Sequence, residues 1–265
     1  MGKQMLTQKV IVITGASSGI GAQLAYDLAS YGATPVLLAR SVDKLETHCS
    51  QIEQKTGVKP DYYQLDVTSL EDVQATFLAI FHEHKHIDVL VNNAGFAIFD
   101  SFLDADLSEL KAMFDVNVYG MMACTKAVLP SMIERNQGHI INIGSLAGKL
   151  ATPKSSGYAA TKHAVLGFTN GVRLELQQTN VHVTSVNPGP IKTPFFETAD
   201  QTGTYVKNVE RMMLEPTYVS SKIIDVIRRP KREVNVPTWM SIGTIFYQLF
   251  PGLIEKFGGK KFNQK

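Results

Sequence analysis

Short apolar runs rich in β-branched residues alternate along the chain with longer segments whose apolar residues recur every three or four positions. The first run, Val10-Ile11-Val12-Ile13, leads into Thr14-Gly15 and reads as a buried strand. The pattern then predicts a helix from Ile20 to Tyr31 and a strand from Pro35 to Ala39. A helix capped by Ser41 follows towards Lys55, with Lys44 and Glu46 on its wet face. The alternation continues with a strand at Asp61–Leu65, a helix at Ser69–His84 and a strand at Ile87–Val91. One long helix is expected from about Ser108 to Arg135, then a strand at His139–Ile143, a helix at Gly157–Gln177 and a strand at Val181–Val186. Strands alternating with helices of this length imply right-handed βαβ units, hence an α/β fold with a doubly wound parallel sheet.

After Pro188 the pattern loosens. Residues 190–215 mix Gly, Pro and Thr as a substrate lid of loop and short helix would, and Phe195, Phe196, Tyr205, Met212 and Met213 there suit either a pocket for an apolar substrate or packing beneath the lid. A helix resumes at Thr217–Arg228, and Glu233–Val236 reads as a last edge strand, making about seven. Without an internal repeat or linker, residues 1–265 are expected to form a single domain with its core at 7–236 and a C-terminal extension at 237–265. In that extension Ile242, Ile245, Phe246, Leu249, Phe250, Leu253, Ile254 and Phe257 follow helical spacing after Trp239, and Pro251 is expected to interrupt the helix. Arg228, Arg229, Lys231 and Arg232 precede the stripe; Lys256, Lys260, Lys261 and Lys265 follow its start. Packing within the protein is the expectation for this apolar helix, with a peripheral membrane contact as the alternative.

Composition narrows the class without changing the fold. The chain has 265 residues, 44% of them hydrophobic, enough for a core that needs no disulfide or metal. A net charge of +2 gives no reason to expect a nucleic-acid partner. Cys49 and Cys124 match no metal or redox spacing and read as free thiols. Met1 to Lys9 hold no apolar signal-peptide core, so a cytoplasmic location is expected, membrane-associated if the tail docks. His82, His84 and His86 alternate at a charged helix end and read as a solvated surface, so no metal is expected.

The chemistry begins at the first turn. Thr14-Gly15-Ala16-Ser17-Ser18-Gly19-Ile20-Gly21 joins a strand to a helix, where glycines let backbone approach a pyrophosphate and the helix N-terminus offers free N–H groups. No Gly-Lys-Ser/Thr follows, which argues against a nucleotide-hydrolysing P-loop. The second strand ends in Leu38-Ala39-Arg40, with no carboxylate to take a ribose 2′-OH. Arg40 instead suits a 2′-phosphate, which points to NADP(H). Tyr158 and Lys162 share one face of a helix at i, i+4, an ammonium placed to lower a phenol's pKa. Ser145 follows the strand His139–Ile143 at the carboxyl edge of the sheet, where ligands bind in such folds.

At these residues the chain resembles the short-chain dehydrogenase/reductase family, over roughly residues 7 to 236. The Thr14–Gly21 turn resembles its glycine motif, and Asn92-Asn93-Ala94-Gly95 its segment after the fourth strand. Asn117 falls where the family keeps a helix-bending asparagine. With Ser145, Tyr158 and Lys162 it completes what resembles the catalytic tetrad.

The resemblance implies a Rossmann-like fold and an NADP(H)-dependent oxidoreductase moving a hydride between nicotinamide and a carbonyl or alcohol, with reduction of an apolar ketone or aldehyde the favoured direction. Tyr158 would be general acid or base. Lys162 would hold the nicotinamide ribose and depress the Tyr158 pKa, Ser145 would polarise the carbonyl, and Asn117 would hold a water near Lys162. Gly15, Ser17, Ser18, Gly19, Ile20, Gly21 and Arg40 would take the phosphates and Asp66 and Val67 the adenine. Asn93, Ala94 and Gly95 would line the cleft, and Pro188, Gly189, Ile191 and Thr193 the nicotinamide end. A homodimer or homotetramer is implied through the helices at about 108–135 and 157–177, whose apolar faces include Met121, Met122, Val128, Leu129 and Phe168. A 3-oxoacyl thioester remains an alternative substrate. A non-catalytic dinucleotide sensor is the competing class, and the presence of Ser145, Tyr158 and Lys162 counts against it.

Overall fold

The computed structural model describes residues 6–200 and 202–262, with side chains as far as residue 256. Seven parallel strands form one sheet in the order β3-β2-β1-β4-β5-β6-β7. They are β1 (Val10–Thr14), β2 (Thr34–Ala39), β3 (Asp61–Gln64), β4 (Val89–Asn92), β5 (Gly138–Ile143), β6 (Val181–Pro188) and β7 (Glu233–Val236). The sheet winds outward in both directions from the β1–β4 pair, whose register sets Val12 against Leu90. This is the Rossmann-like doubly wound α/β fold expected.

Alternation along β1 divides the core. Ile11 and Ile13 point to one face, packed with Leu24 and Leu28 of α1 (Gly19–Ser30), Leu45 and Ile52 of α2 (Val42–Thr56), and Ile223 and Ile227 of α9 (Pro216–Arg228). Val10 and Val12 point to the other, with Phe77 and Ile80 of α3 (Leu70–His84), Val128 and Met132 of α5 (Met121–Glu134), and Val172 of α6 (Ser156–Glu175). Cys49 and Cys124 are free thiols buried on opposite faces, each pushed up by that burial, to about 11 and about 12.

Several expectations are corrected. The long helix is interrupted: α4 (Leu107–Phe114) and α5 flank a π-helical segment, Asp115–Gly120, which contains Asn117. Met121 and Val128 point into this chain's own core, while Leu107, Tyr119, Ile133 and Leu174 are exposed along these helices. Ser41 stands at the N-cap of α2 without a side-chain cap, whereas Ser69 accepts from Asp72 N at the head of α3. His84 and His86 are half-buried and face carboxylates, Asp61 at 3.0 Å and Asp88 at 3.6 Å, and only His82 is exposed.

Residues 190–215 hold α7 (Phe195–Ala199), α8 (Thr204–Val209) and a 3-10 turn, Glu210–Met212. The tail folds as α10 (Thr238–Leu249) and α11 (Pro251–Phe262), broken at Pro251 as its missing N–H requires. Its apolar stripe is not covered by the body of the chain: Trp239, Ile242, Ile245, Phe246, Leu249, Phe250 and Leu253 are all exposed, and the buried side of α10 is Ser241 and Thr244. Arg228 to Arg232 lie at the start of β7, the opposite end of that strand from α10, so they do not flank the stripe. The side chains of Phe257, Lys260, Lys261 and Lys265 lie outside the described residues, as do Met1 to Met5. Among the described residues no helix is long and apolar enough to cross a membrane.

Candidate active site

A cleft of about 1430 Å³ opens along the carboxyl edge of the sheet, over the β1–β4 division. Its position follows from topology. Crossovers leave β1 and β4 towards opposite ends of the sheet, so the loops after them part and leave a crevice.

One end is the glycine turn. Gly15 has φ +64, and a Cβ there would stand 2.8 Å from Ala94 Cα, so only glycine lets the loops after β1 and β4 approach this closely. Ser18 at the N-cap of α1 makes no side-chain cap, which leaves the first N–H groups of the helix to the cleft lined by Ser17, Ser18, Gly19 and Ile20. Gly21 stands behind this lining: a Cβ on it would come within 2.5 Å of Gly15 O. Its part is to let the turn close rather than to touch a ligand. These features fit a bound pyrophosphate.

Arg40 is exposed at the lip of the same cleft, with Lys44 beside it. Lys44, expected only on a wet helix face, thus adds a second cation, which its place in the first turn of α2 allows. Asp66 and Val67 line the next stretch. Burial works against the Asp66 carboxylate, but hydrogen bonds from Thr68 N and Oγ1 and the charge of Arg40 hold it below the usual range.

Ala94 and Gly95 line the cleft as expected, and so does Asn93, but the Asn93 amide is turned to the protein. Its Nδ2 donates to Thr14 O and Gly15 O, each at 3.0 Å, and the Thr14 hydroxyl accepts from Asn93 N and Ala94 N. Asn93 and Thr14 therefore lock the glycine turn to β4. A pair distant in sequence gives no local signal of this.

At the other end Ser145, Tyr158 and Lys162 converge, together with Pro188, Gly189, Ile191 and Thr193. Ser145 heads a short 3-10 turn, Leu146–Gly148; its Oγ accepts from Ala147 N and donates to Pro188 O at 3.4 Å, and its side chain works to lower the Tyr158 pKa. Lys162 is buried, its Nζ donating to Ile143 O at 2.8 Å, and burial pushes its pKa down to about 8. Burial likewise drives the Tyr158 phenol above its ordinary range. The expected depression of Tyr158 by Lys162 is not seen in the chain alone. The ammonium sits 5.8 Å from the ring centroid and is held by the Ile143 carbonyl.

Asn117 does not line the cleft. Its Oδ1 accepts from Phe96 N and its Nδ2 donates to Phe96 O and Thr161 Oγ1, so the amide clamps the Phe96 peptide. Around Tyr158 stands an aromatic cluster: Phe99 at 6.0 Å and Phe195 at 5.9 Å between centroids, with Phe196 and Tyr205 completing it. Phe99 escaped the sequence reading because it lies in a loop with no periodicity. Met212 joins the lining and Met213 does not; α10 adds Met240, Thr244 and Tyr247.

Comparison with known proteins agrees with this geometry. The family model described as short chain dehydrogenase matches residues 9–203. An uncharacterized oxidoreductase of Staphylococcus saprophyticus is 37% identical over 231 residues, 87% of this chain and 95% of the relative. A serine dehydrogenase solved with NADP+ is 30% identical with a TM-score of 0.79, covering 86% of this chain and 94% of that one. A short-chain dehydrogenase/reductase from Burkholderia phymatum solved with NAD superposes with a TM-score of 0.86 over 96% of both chains; at 23% identity it speaks for the fold alone.

Proposed function

The chain is an oxidoreductase of the short-chain dehydrogenase/reductase family, and on that premise we propose that it reduces an apolar ketone or aldehyde with NADPH. The observation that carries the reading is the convergence of Ser145, Tyr158 and Lys162 on one cleft with the glycine turn. Gly15, Ser17, Ser18, Gly19 and Ile20 would hold the pyrophosphate and Asp66 and Val67 the adenine. Lys162 would hold the nicotinamide ribose, and Pro188, Gly189, Ile191 and Thr193 its nicotinamide end. Arg40 and Lys44 supply two cations and no carboxylate where a 2′-phosphate would sit, which favours NADPH over NADH.

The bound cofactor supplies the hydride. Tyr158, a phenol protonated at neutral pH and kept so by its burial, donates its hydroxyl proton to the carbonyl oxygen as the carbon is reduced. Ser145, held by Ala147 N and Pro188 O, orients that oxygen beside the phenol. Lys162, cationic below a pKa of about 8, favours the phenolate left behind. Asn117 acts as a positioning residue through the Phe96 peptide and Thr161. The ring cluster of Phe99, Phe195, Phe196 and Tyr205 supports an apolar substrate, with residues 190–215 as its lid. Subunit contacts through α5 and α6 would make the enzyme a homodimer or homotetramer.

The test is NADPH and NADH titration followed by a panel of apolar carbonyls, run on the wild type and Tyr158→Phe. Tighter NADPH binding is expected, with turnover of some panel member that Tyr158→Phe abolishes while NADPH binding persists. Undiminished turnover by the variant removes Tyr158 from the mechanism; binding of neither cofactor ends the reading.

A further inference from the structure

α10 presents different sides to different surroundings. Met240, Gly243, Thr244 and Tyr247 recur at helical spacing and line the cleft. Ile242, Ile245 and Leu249 recur on the outer side, away from it. Trp239 and Phe246 form the rim between the two: both line the cleft and both are exposed. Phe250 and Leu253 carry the outer face past the break at Pro251. These seven large side chains are each between 52% and 65% exposed. With about 150–250 Å² for a whole aromatic side chain, they reach the range of the largest apolar patch on an ordinary monomer, roughly 300–600 Å².

Charge selects the occupant. Residues 238–265 contain Lys256, Lys260, Lys261 and Lys265 against the single acid Glu255, while the whole chain carries only +2. The remainder of the protein therefore contributes no net positive charge. A second copy meeting this face would bring the same segment, with four lysines and only Glu255 to meet them, and so no complementary charge. A negatively charged lipid surface takes both the apolar face and the lysines, and tryptophan and phenylalanine suit the interfacial depth such a helix reaches.

We propose that the outer face of α10 and of the start of α11, as far as Leu253, docks on an anionic lipid surface, so that the cleft opens at the Trp239–Phe246 rim onto the bilayer and takes a lipid-dissolved carbonyl compound from it. The docking stands on the exposed face and the charge; the delivery of substrate rests on the reductase reading above.

The experiment is co-sedimentation with vesicles of phosphatidylglycerol and of phosphatidylcholine, using the full chain and the double variant Ile245→Glu/Leu249→Glu, whose positions lie outside the cleft. The wild type is expected to pellet at least about ten-fold more with the anionic vesicles, and less as salt is raised. The variant stays in the supernatant. It keeps wild-type turnover of a water-soluble carbonyl and loses turnover of a long-chain carbonyl supplied within vesicles. Equal pelleting of both proteins, or failure of the wild type to pellet, overturns the proposal. So does a fall in native mass by light scattering in the variant when the wild type binds no vesicles, which assigns the face to a second copy. Pelleting of the wild type alone, with no carbonyl reduced by either protein, upholds docking and refutes the reductase reading.

Discussion

His139 shows how far one buried ring can be read. It lies on β5, its Nε2 2.8 Å from Thr184 Oγ1, and the Thr184 hydroxyl hydrogen is committed to Lys231 O at 2.6 Å. The threonine oxygen therefore accepts, Nε2 carries the proton, and Nδ1 is bare beside the His182 ring. Burial, then the neighbouring His182 and Lys9, push its pKa down from 6.5 to about 3. Below pH 6.5 the unfolded chain takes a proton that the folded chain refuses until about pH 3, so stability falls as pH falls across that window. Between pH 7 and pH 5 this ring accounts for a loss of about 2 kcal/mol. Urea unfolding at the two pH values checks it, because His139→Gln keeps a donor but does not titrate and should lack that part of the loss. An equal loss in both proteins would mean that the ring is protonated in the folded state. In the sequence His139 was only a polar residue inside an apolar run. Its neighbours come from strand register, which no local pattern carries. Arg40, Tyr158 and Lys162 were legible for the opposite reason: a strand end and an i, i+4 step are local facts that fix where a side chain points.

At the scale of elements, the turn from β1 to α1 is closed on backbone and side chain alike. A methyl on Gly21 would meet Gly15 O at 2.5 Å and Asn93 Nδ2 at 2.7 Å, and neither can yield while Asn93 holds both Thr14 O and Gly15 O. Gly21→Ala is expected to cost about 1–3 kcal/mol of stability, the scale of overpacking, and to weaken NADPH binding at least ten-fold, readable by urea denaturation and fluorescence titration. Unchanged binding would show that the turn tolerates opening and does not set the phosphate site. All seven strands and the break at Pro251 were visible in the sequence, because β-branched runs and a missing N–H mark them locally. At Asn117 only the resemblance to a helix-bending asparagine hinted at an interruption in what otherwise read as one helix. The π-helical form of that interruption was not visible, since a π segment has the composition of the helix around it. Nor was the fate of the tail: periodicity reveals an apolar stripe on α10 but says nothing of what lies opposite it.

At the scale of the whole molecule, the cleft joins loops from both halves of one sheet, so a ligand filling it ties the halves together. A single cooperative thermal transition is expected. NADPH at about one hundred times its Kd should add about 2.7 kcal/mol and raise Tm by about 5–10 °C at this chain length. NADH at the same concentration should raise it less; an equal rise would mean that Arg40 and Lys44 do not discriminate between the two. The order of the strands has a temporal side as well. β3, β2, β1 and β4 all lie within the first 92 residues, so a ribosome releases the glycine turn with every sheet neighbour it needs before Ser145, Tyr158 and Lys162 have been translated. What remains is the addition of β5, β6 and β7 in turn, each across a helical crossover, again the long-range kind of contact that forms slowly. Through that interval the edge of β4 waits for β5, and a nascent chain stalled there would offer it to any other strand in reach.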